Sequence, residues 1–302
     1  MRFCAGAVAL LSTQRKNAGV QILPAIFQRR WKWVLAAFLV TIVALGWKAW
    51  TDTMADPLVR TARVELRGLP QGTPEITVAL LSDIHVAGPD MPPSRLARIV
   101  RQVNALEPDL VLIAGDLVSE KRFTTHTYSA EEIVAPLGDL SAPMGTMAVP
   151  GNHDHWFDWP ALRAALQDNG ITVLQNEAVQ SGPLVIGGVD DAYTRRDDLS
   201  EVLRQVDAFE GGKLIVTHSP DTAPQVTADV ALVLAGHTHC GQIRFPFVGA
   251  LATMSRYGDR FACGQIVEGG QTVIVSAGLG TSLLPMRFGT RPEIWLVELV
   301  AE

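Results

Sequence analysis

The sequence predicts an α/β domain over residues 57–302, built as a two-sheet β-sandwich flanked by helices. Short runs rich in Val, Ile and Leu recur along this region, and helical patterns lie between several of them. Runs that are apolar on both faces of a strand indicate sheets that are covered on each side. No repeat, low-complexity tract or internal linker interrupts the region. We therefore expect one domain with two packed sheets inside and helices outside.

The predicted strands are short and aliphatic, which is typical of buried strands. They are ITVALL (76–81), LVLIAG (110–115), GTMAVPG (145–151), LVIGGV (184–189), KLIVTH (213–218), VALVLAG (230–236), TVIVSAG (272–278) and EIWLVELV (293–300). The helical patterns between them read SRLARIVRQVNAL, AEEIVAPLGDL, WPALRAALQDN and LSEVLRQVDAF. Ser94, Asp158 and Asp198 are the predicted N-caps of three of these helices, because a side-chain oxygen there can accept an unpaired backbone N–H.

A transmembrane helix is predicted upstream of the domain, over residues 31–50. The run from Trp33 to Trp47 carries no charge, and Lys32 and Lys48 lie on either side of it. A helix of ~20 residues matches a bilayer core of ~30 Å, and tryptophans at both of its ends favour the membrane–water interface. The segment is therefore expected to bind the chain to a membrane.

Basic residues around this segment predict its orientation. They are denser in residues 1–30 and at Lys32 than downstream of the span. The positive-inside rule then places the N-terminal tail (1–30) in the cytoplasm and the domain outward. Arg29-Arg30 and Thr53-Met54-Ala55 leave a cleaved signal sequence open as an alternative. A retained single-pass anchor is preferred, because the apolar run is longer than a usual signal core.

Composition excludes two classes of protein. With 48% hydrophobic and 19% charged residues the chain is too apolar to be disordered. A net charge of −6 provides no basic surface for nucleic acid, so no nucleic-acid partner is expected. Cys4, Cys240 and Cys263 allow at most one disulfide within the domain, and three unpaired thiols are the preferred interpretation.

Polar residues follow five of the predicted strands, where the chain reads ALLSDIH, VLIAGD, MAVPGNHDH, LIVTHSP and LVLAGHTH. Ligands of open α/β sheets bind at the carboxyl ends of strands, so these residues are expected to converge on one site. The glycines Gly115, Gly151 and Gly236 precede them, and sharp turns with permissive dihedrals are expected there.

The residue types at these strand ends suit divalent metals. Asp83 and His85 are spaced i, i+2, as are His237 and His239, so an extended backbone points each pair to one side. Carboxylate, imidazole and amide oxygen are ligands for Mn, Fe or Zn. The candidate ligands outnumber what one ion needs, which predicts two ions that share a carboxylate: Asp83, His85, Asp116, Asn152, His218, His237 and His239.

The motifs D-x-H, G-D, G-N-H-D, a lone H and G-H-T-H, in this order, resemble the calcineurin-like metallophosphoesterases. The match spans about Ile76 to His239, and five motifs in order after strands are highly specific. The tail GLGTSLLPMRFGTRPEIWLVEL (278–299) further resembles the membrane-anchored bacterial branch of that family, for which an inner-membrane location is expected.

The resemblance implies a role for each residue. Asp83, His85, Asp116 and His239 would hold one metal, and Asp116, Asn152, His218 and His237 the other. A hydroxide that bridges the metals would attack phosphorus. His153 would lie outside the ligand set and would stabilise or protonate the leaving oxygen.

The chain departs from the family pattern at two positions. Some members carry an aspartate three residues after the bridging one, and it orients the catalytic histidine. Ser119 stands there in this chain, which leaves Glu120 or Asp154 as substitutes. The residue after G-H-T-H is often glycine and here is Cys240, either a packed cysteine or a thiol whose oxidation affects the site.

Weaker candidates remain outside these motifs. Arg244 and Arg287 are candidates to grip a substrate phosphate, since arginine binds phosphate bidentately. His126 and His155 are interpreted as solvated loop histidines. The apolar segment FPFVGALATM (245–254) either faces lipid near the anchor or forms a buried strand and turn.

The predicted function is that of a dinuclear phosphodiesterase or pyrophosphatase acting on a membrane-proximal or lipid-linked phosphoester. Resemblance to the anchored branch makes UDP-2,3-diacylglucosamine a candidate substrate, although that lipid precursor is cytoplasmic and the domain is expected outside. The alternatives are a phosphomonoesterase or protein phosphatase on the same scaffold, and a metal-stabilised binding module without activity. The complete set of expected site residues disfavours the last of these.

Overall fold

The computed structural model describes residues 22–227 and 229–302, with side chains from Arg30 onward. Most of the predicted tail and Cys4 lie outside these residues. The helices are α1 (Ile22–Met54), α2 (Pro93–Asn104), α3 (Ala130–Val134), α4 (Asn152–Phe157), α5 (Trp159–Asp168) and α6 (Leu199–Val206). Short 3-10 helices lie at Ala135–Asp139, Pro220–Gln225, His239–Gly241 and Gly258–Phe261.

Helix α1 is longer than the predicted span of residues 31–50 and includes the end of the predicted tail. Within the described residues it is the one helix that is long and apolar enough to cross a bilayer, over Arg30–Met54. The compact unit that follows runs from Lys48 to Glu302. It therefore begins upstream of residue 57, because the end of α1 packs on the domain: Arg95 donates hydrogen bonds to the carbonyls of Thr53 and Ala55.

Within the part of the chain that the structure describes, twelve strands form two six-stranded sheets. The first sheet has the order β1 (Leu58–Leu66), β14 (Glu293–Ala301), β2 (Ile76–Leu81), β3 (Leu110–Ala114), β4 (Thr146–Val149) and β5 (Thr172–Val173). The second has the order β12 (Gly264–Glu268), β13 (Gln271–Val275), β9 (Leu232–Ala235), β8 (Gly212–Thr217), β7 (Leu184–Val189) and β6 (Glu177–Ser181). Strands β10 (Arg244–Phe245) and β11 (Gly249–Ala250) form a separate small hairpin.

Each large sheet has a parallel centre. In the first sheet β2 to β5 run parallel and β14 runs antiparallel to β2. In the second sheet β7, β8, β9 and β13 run parallel, while β6 and β12 are antiparallel edge strands. Parallel neighbours bring the carboxyl ends of several strands to one edge, and this places the polar strand ends of the sequence together.

Buried apolar side chains form three layers, one between the two sheets and one on the outer face of each sheet. Strand sequences that are apolar on both faces predict this arrangement. Leu112 of β3 and Leu214 of β8 belong to the cluster between the sheets. The other face of β3, with Val111 and Ile113, packs against α2, α3 and α5. Helix α6 covers the outer face of the second sheet, where Val202 packs with strand residues. The predicted two-sheet α/β sandwich with outer helices is confirmed.

Helix caps agree with the prediction at two of three positions. Asp158 accepts the N–H of Ala161, and Asp198 accepts the N–H of Glu201. The prediction for Ser94 is wrong, because α2 begins at Pro93, one residue earlier, and proline lacks the N–H that a cap would satisfy.

Leu112→Ala is expected to lower the free energy of unfolding by about 2–5 kcal/mol, because it opens a cavity between two sheets at a fully buried side chain. Urea unfolding of the full chain in detergent measures the change. Val267→Ala, on an exposed side chain of β12, is the control and should stay within about 0.5 kcal/mol of wild type. Equal losses at both positions would contradict the assigned core.

Candidate metal centre

The candidate ligands lie on loops that leave the carboxyl ends of β2, β3, β4, β8 and β9. Five of them have left-handed backbone conformations: Asp83 (φ 47°), His85 (φ 50°), Asp116 (φ 55°), His237 (φ 70°) and His239 (φ 52°). A non-glycine residue rarely adopts a positive φ, and such strain concentrates at functional sites. The surrounding contacts therefore hold these loops in conformations that the chain would not adopt by itself.

The glycines beside the ligands serve two different purposes. Gly115 has φ 73°, and its permissive dihedrals are needed as predicted. Gly151 and Gly236 do not have a positive φ, so the dihedral explanation is wrong for them. They are needed for space, because a Cβ at Gly151 would collide with the Asp116 carboxylate and one at Gly236 with the Asp83 carboxylate.

The first group of donors comprises Asp83, His85, His239 and Asp116, whose side-chain atoms converge on one point. His85 Nε2 lies 3.1 Å from His239 Nε2, and His239 Nε2 lies 3.4 Å from Asp83 Oδ1. Asp116 Oδ2 lies 3.5 Å from His85 Nε2. All four side chains are buried.

A second group of donors shares Asp116 with the first. His218 Nε2 lies 3.2 Å from Asp116 Oδ2 and 3.2 Å from Asn152 Oδ1. His237 turns its Nδ1 toward the same nitrogen at 3.1 Å. The structure thus brings the seven residues together in the two groups that the resemblance implied, while their role as ligands stays a prediction.

The donor set fits divalent cations. His85 Nδ1 faces the Val118 carbonyl at 3.0 Å, and His218 Nδ1 faces the Ala114 carbonyl at 2.9 Å. A carbonyl only accepts, so each Nδ1 carries a proton and each Nε2 points into the group. Donors that bind one ion at ~2.1 Å lie roughly 3.0–3.4 Å from one another, which is close to the observed spacings.

Burial sets most of the protonation states here. It lowers the pKa of His85 and His239 well below the usual value and that of His237 to about 4. Burial also raises the pKa of Asp83 to about 6. The three histidines are therefore neutral near pH 7, and neutral imidazole is the form that binds a metal.

The pKa values of His218 and Asp116 shift against the direction that burial favours, unlike those of the other donors. Burial opposes charge on both, but their mutual attraction and hydrogen bond dominate. The pKa of Asp116 is held well below its usual value, and that of His218 is raised well above its own. The positive charge of protonated His218 balances the negative charge of Asp116. A bound divalent ion would take the place of the proton on His218.

His153 lies at the start of α4, beside the donors. Its backbone N–H donates to Asp116 Oδ1 at 2.9 Å, and its ring packs edge-on against His85 and Trp156. The Nε2 atom lies 3.3 Å from Ser282 Oγ, whereas the buried Nδ1 has no partner among the described residues. The sequence does not single out Ser282, because it is far away along the chain and the resemblance of the tail 278–299 assigns no role to it.

Neither substitute proposed for the missing aspartate contacts His153. Glu120 is exposed. The Asp154 carboxylate accepts the N–H groups of Gly151, Asp116 and Leu117, so it ties the loop after β3 to the start of α4. The hypothesis that Asp154 orients His153 is therefore wrong, and Asp154 instead holds the Asp116 backbone in place.

A cavity of about 370 Å³ opens over the donors. Its floor is polar, with Asp116, Asn152, His153, His237 and His239. Its walls are mostly apolar and comprise Trp156, Tyr193, Ile243, Leu251, Ala252, Met254, Leu283 and Leu284. The site therefore combines a small charged floor with a large apolar wall.

The structure places both candidate arginines away from this cavity. Arg287 is fully buried and donates to the carbonyls of Ala277, Gly278 and Gly280, so the prediction that it grips substrate is wrong. Arg244 is exposed and lines a separate depression with Arg60 instead of the cavity. No lysine or arginine is among the residues that line the cavity within the described chain.

Two further predictions concern side chains beside the site. His155 is not solvated as predicted: its ring is buried, with Nε2 2.6 Å from Asp190 Oδ1, because α4 turns it inward. His126 is exposed, as predicted.

The cysteine prediction is also wrong. Cys240 and Cys263 form a disulfide, with Cα atoms 4.7 Å apart, although 23 positions separate them in the chain. The 3-10 helix after His239 and the chain before β12 bring them together, which spacing alone cannot reveal. The bond anchors the residue that directly follows His239.

Comparison with known proteins places this site in a family. The model of the calcineurin-like phosphoesterases matches residues 76–241, which contain all the candidate donors. An uncharacterized metallophosphoesterase of Helicobacter pylori (strain J99) is 30% identical, over 87% of this chain and 69% of that protein. YkuE of Bacillus subtilis, also an uncharacterized metallophosphoesterase, is 30% identical over 76% of this chain and 81% of its own.

A vertebrate relative is similar as well. The transmembrane protein with metallophosphoesterase domain of Bos taurus is 33% identical over 86% of this chain and 60% of that protein. The family match covers more than half of the chain and includes all the candidate donors. The chain therefore belongs to the calcineurin-like metallophosphoesterase family and is a metal-dependent phosphoester hydrolase.

Proposed function

We propose that the chain is a dinuclear phosphodiesterase or pyrophosphatase that acts on a membrane-proximal or lipid-linked phosphoester. One observation carries the dinuclear assignment: Asp116 Oδ2 lies within 3.5 Å of His85 Nε2 and 3.2 Å of His218 Nε2, so two groups of donors meet at one oxygen. The proposed ligands are the seven residues of the two groups, and Mn, Fe or Zn suits them.

Two bound ions would supply Lewis-acid activation of the phosphate and of an attacking water at neutral pH. The chain's own residues supply the rest. His153 lies on the cavity floor beside both groups and is proposed to give a proton to the leaving oxygen from Nε2. Ser282 is proposed to hold that nitrogen in position through the contact at 3.3 Å.

The apolar lining of the cavity supports the proposal of a diester substrate. A phosphomonoester has one organic substituent and a diester has two, and the described cavity wall beyond the donors is mostly apolar, without lysine or arginine. A diester has a single charge and a second substituent that can contact apolar walls such as Leu251 and Leu284. Burial of that substituent contributes about 25 cal/mol per Å² of apolar surface.

We propose that the domain faces outward from a bacterial inner membrane, to which α1 binds it as a single-pass anchor. The disulfide between Cys240 and Cys263 supports this orientation, because such bonds persist in oxidising compartments. It agrees with the denser basic charge upstream of the span. A cytoplasmic precursor such as UDP-2,3-diacylglucosamine then becomes less suitable than a lipid-linked phosphoester of the outer leaflet.

His153→Ala is expected to retain bound metal and to lose turnover by about 10²–10⁴-fold, because general acid catalysis contributes on that scale. Elemental analysis by plasma mass spectrometry and hydrolysis of bis(p-nitrophenyl) phosphate measure the two effects. His126→Ala, on an exposed histidine, is the control for turnover, and His218→Ala should lose metal. Unchanged turnover in His153→Ala would remove this residue from the mechanism.

The full chain in detergent with Mn²⁺ is expected to cleave bis(p-nitrophenyl) phosphate with a kcat/KM at least about tenfold above that for p-nitrophenyl phosphate. Tenfold corresponds to roughly 1.4 kcal/mol, which burial of about 55 Å² of a second apolar substituent would supply at about 25 cal/mol per Å². The opposite preference would support the alternative of a phosphomonoesterase or protein phosphatase.

Fusions after Glu302 test the orientation. An alkaline phosphatase fusion should be active and a green fluorescent protein fusion dark, because the positive-inside rule and the disulfide both support an outward-facing domain. A bright fluorescent fusion with inactive phosphatase would place the domain in the cytoplasm and restore the nucleotide-lipid precursor as a candidate.

A further inference from the structure

The segment FPFVGALATM, residues 245–254, forms an exposed apolar hairpin around β10 and β11. It contains no charged residue. Phe247 is fully exposed at its tip, and Val248 and Leu251 are 72% and 64% exposed. The expectation of a buried strand and turn is therefore wrong. Large apolar side chains that cluster on a surface indicate contact with another apolar phase.

A neighbouring loop extends this apolar surface. Leu283 and Met286 are also exposed. Gln242, at the base of the hairpin, donates its side-chain N–H groups to the carbonyls of Ser282, Leu284 and Met286. These bonds fix the loop beside the hairpin. We call the combined surface the apolar patch, and its principal members are Phe247, Val248, Leu251, Met254, Leu283 and Met286.

The base of the patch contacts Lys48, the residue that directly follows the uncharged run of the candidate membrane span. Lys48 Nζ lies 5.5 Å from the centre of the Phe288 ring, and that ring packs on Phe245 of the hairpin at 5.1 Å. The Gly289 N–H donates to Asp52 Oδ2, four residues after Lys48. A lysine that flanks a membrane span lies at the interface with water. The hairpin is therefore joined to the point where the chain leaves the membrane.

Basic side chains lie beside the hairpin. The depression next to it is lined by Lys48, Arg60, Arg244 and Arg291, together with Asp52 and Glu293. Arg244 begins the hairpin and is exposed. Basic side chains beside an apolar surface suit a bilayer, where anionic headgroups lie next to an apolar interior.

We propose that the apolar hairpin inserts into the surface of the same bilayer that holds α1, with a lipid surface as its occupant. The domain then contacts the membrane at two places. Leu251, Met254 and Leu283 belong both to the patch and to the cavity wall, so the cavity opens toward the bilayer. This last consequence rests on the proposed function, whereas the insertion rests on the proposed anchoring by α1 and not on the proposed activity.

Depth-dependent quenching on the full chain tests the insertion. Val248→Cys is labelled with a nitrobenzoxadiazole dye in a Cys4→Ser background and placed in nanodiscs of phosphatidylcholine and phosphatidylglycerol. Val267→Cys is the matched control, because Val267 is 67% exposed and pairs with Thr272 at the start of β13, away from the metal centre. Lipid-borne doxyl groups report contact with acyl chains, and iodide reports contact with water.

The label at residue 248 should be quenched by doxyl lipid and should respond to iodide roughly threefold less than the label at 267, because an inserted tip lies below the headgroups. Equal quenching by iodide at both positions would overturn the proposal, and so would equal quenching by doxyl lipid at both.

Phe247→Asp supplies a second test. Introduced beside the label at 248, it should abolish quenching by doxyl lipid, because a charge at the tip opposes insertion. Hydrolysis of soluble bis(p-nitrophenyl) phosphate should persist, since Phe247 does not line the cavity. Persistent lipid quenching in this variant would overturn the proposal. A wild-type chain without any diesterase activity would refute the proposed function while the depth labels still decide the insertion.

Discussion

The carboxylate of Asp116 is the group on which the rest of the site depends. One of its oxygens lies between His85 and His218, and the other accepts the backbone N–H of His153. The same side chain thus connects both groups of donors and positions the proposed proton donor. A buried carboxylate is costly unless it is paired and hydrogen-bonded, and here histidine partners and a backbone N–H meet that requirement.

The position of Asp116 is in turn maintained by the packing of the fold. Asp116 has a backbone φ of 55°. Its backbone N–H donates to the Asp154 carboxylate, which also accepts the backbone N–H of Gly151. A Cβ at Gly151 would enter the space of the Asp116 carboxylate. The two sheets supply the rigid frame, since parallel strands end at one edge and their loops are held by a core of aliphatic side chains on both faces. Strained loops persist because the surrounding structure over-determines them.

The apolar cavity wall and the exposed hairpin relate the proposed substrate to the proposed position of the domain at a membrane. The mostly apolar cavity wall supports the proposal of a substrate with an apolar substituent. The exposed hairpin continues that apolar surface outward, and its base packs against Phe288 beside Lys48. In the proposed arrangement the anchor and the hairpin both hold the cavity beside the membrane, and the floor of the cavity is the proposed site of the chemistry.

Much of the protein could be predicted from the sequence because the relevant signals are local. Aliphatic runs predict eight of the twelve strands in the two sheets, and polar residues directly after five of these runs include the seven candidate donors and His153. The α1 segment was evident from an uncharged run between two lysines. Each of these depends on neighbours in the chain, where periodicity, strand ends and hydropathy are visible.

Contacts between distant segments were decided only by the tertiary structure. Ser282 reaches His153 across 129 positions. Cys240 meets Cys263 because a short helix and a strand end converge, and Arg287 is buried against backbone carbonyls although its sequence context suggested a phosphate ligand. The exposure of residues 245–254 likewise depends on which surfaces remain uncovered after packing. The sequence by itself determined which side chains stand at the strand ends, and the fold decided their partners, because partner choice depends on how separate loops pack together.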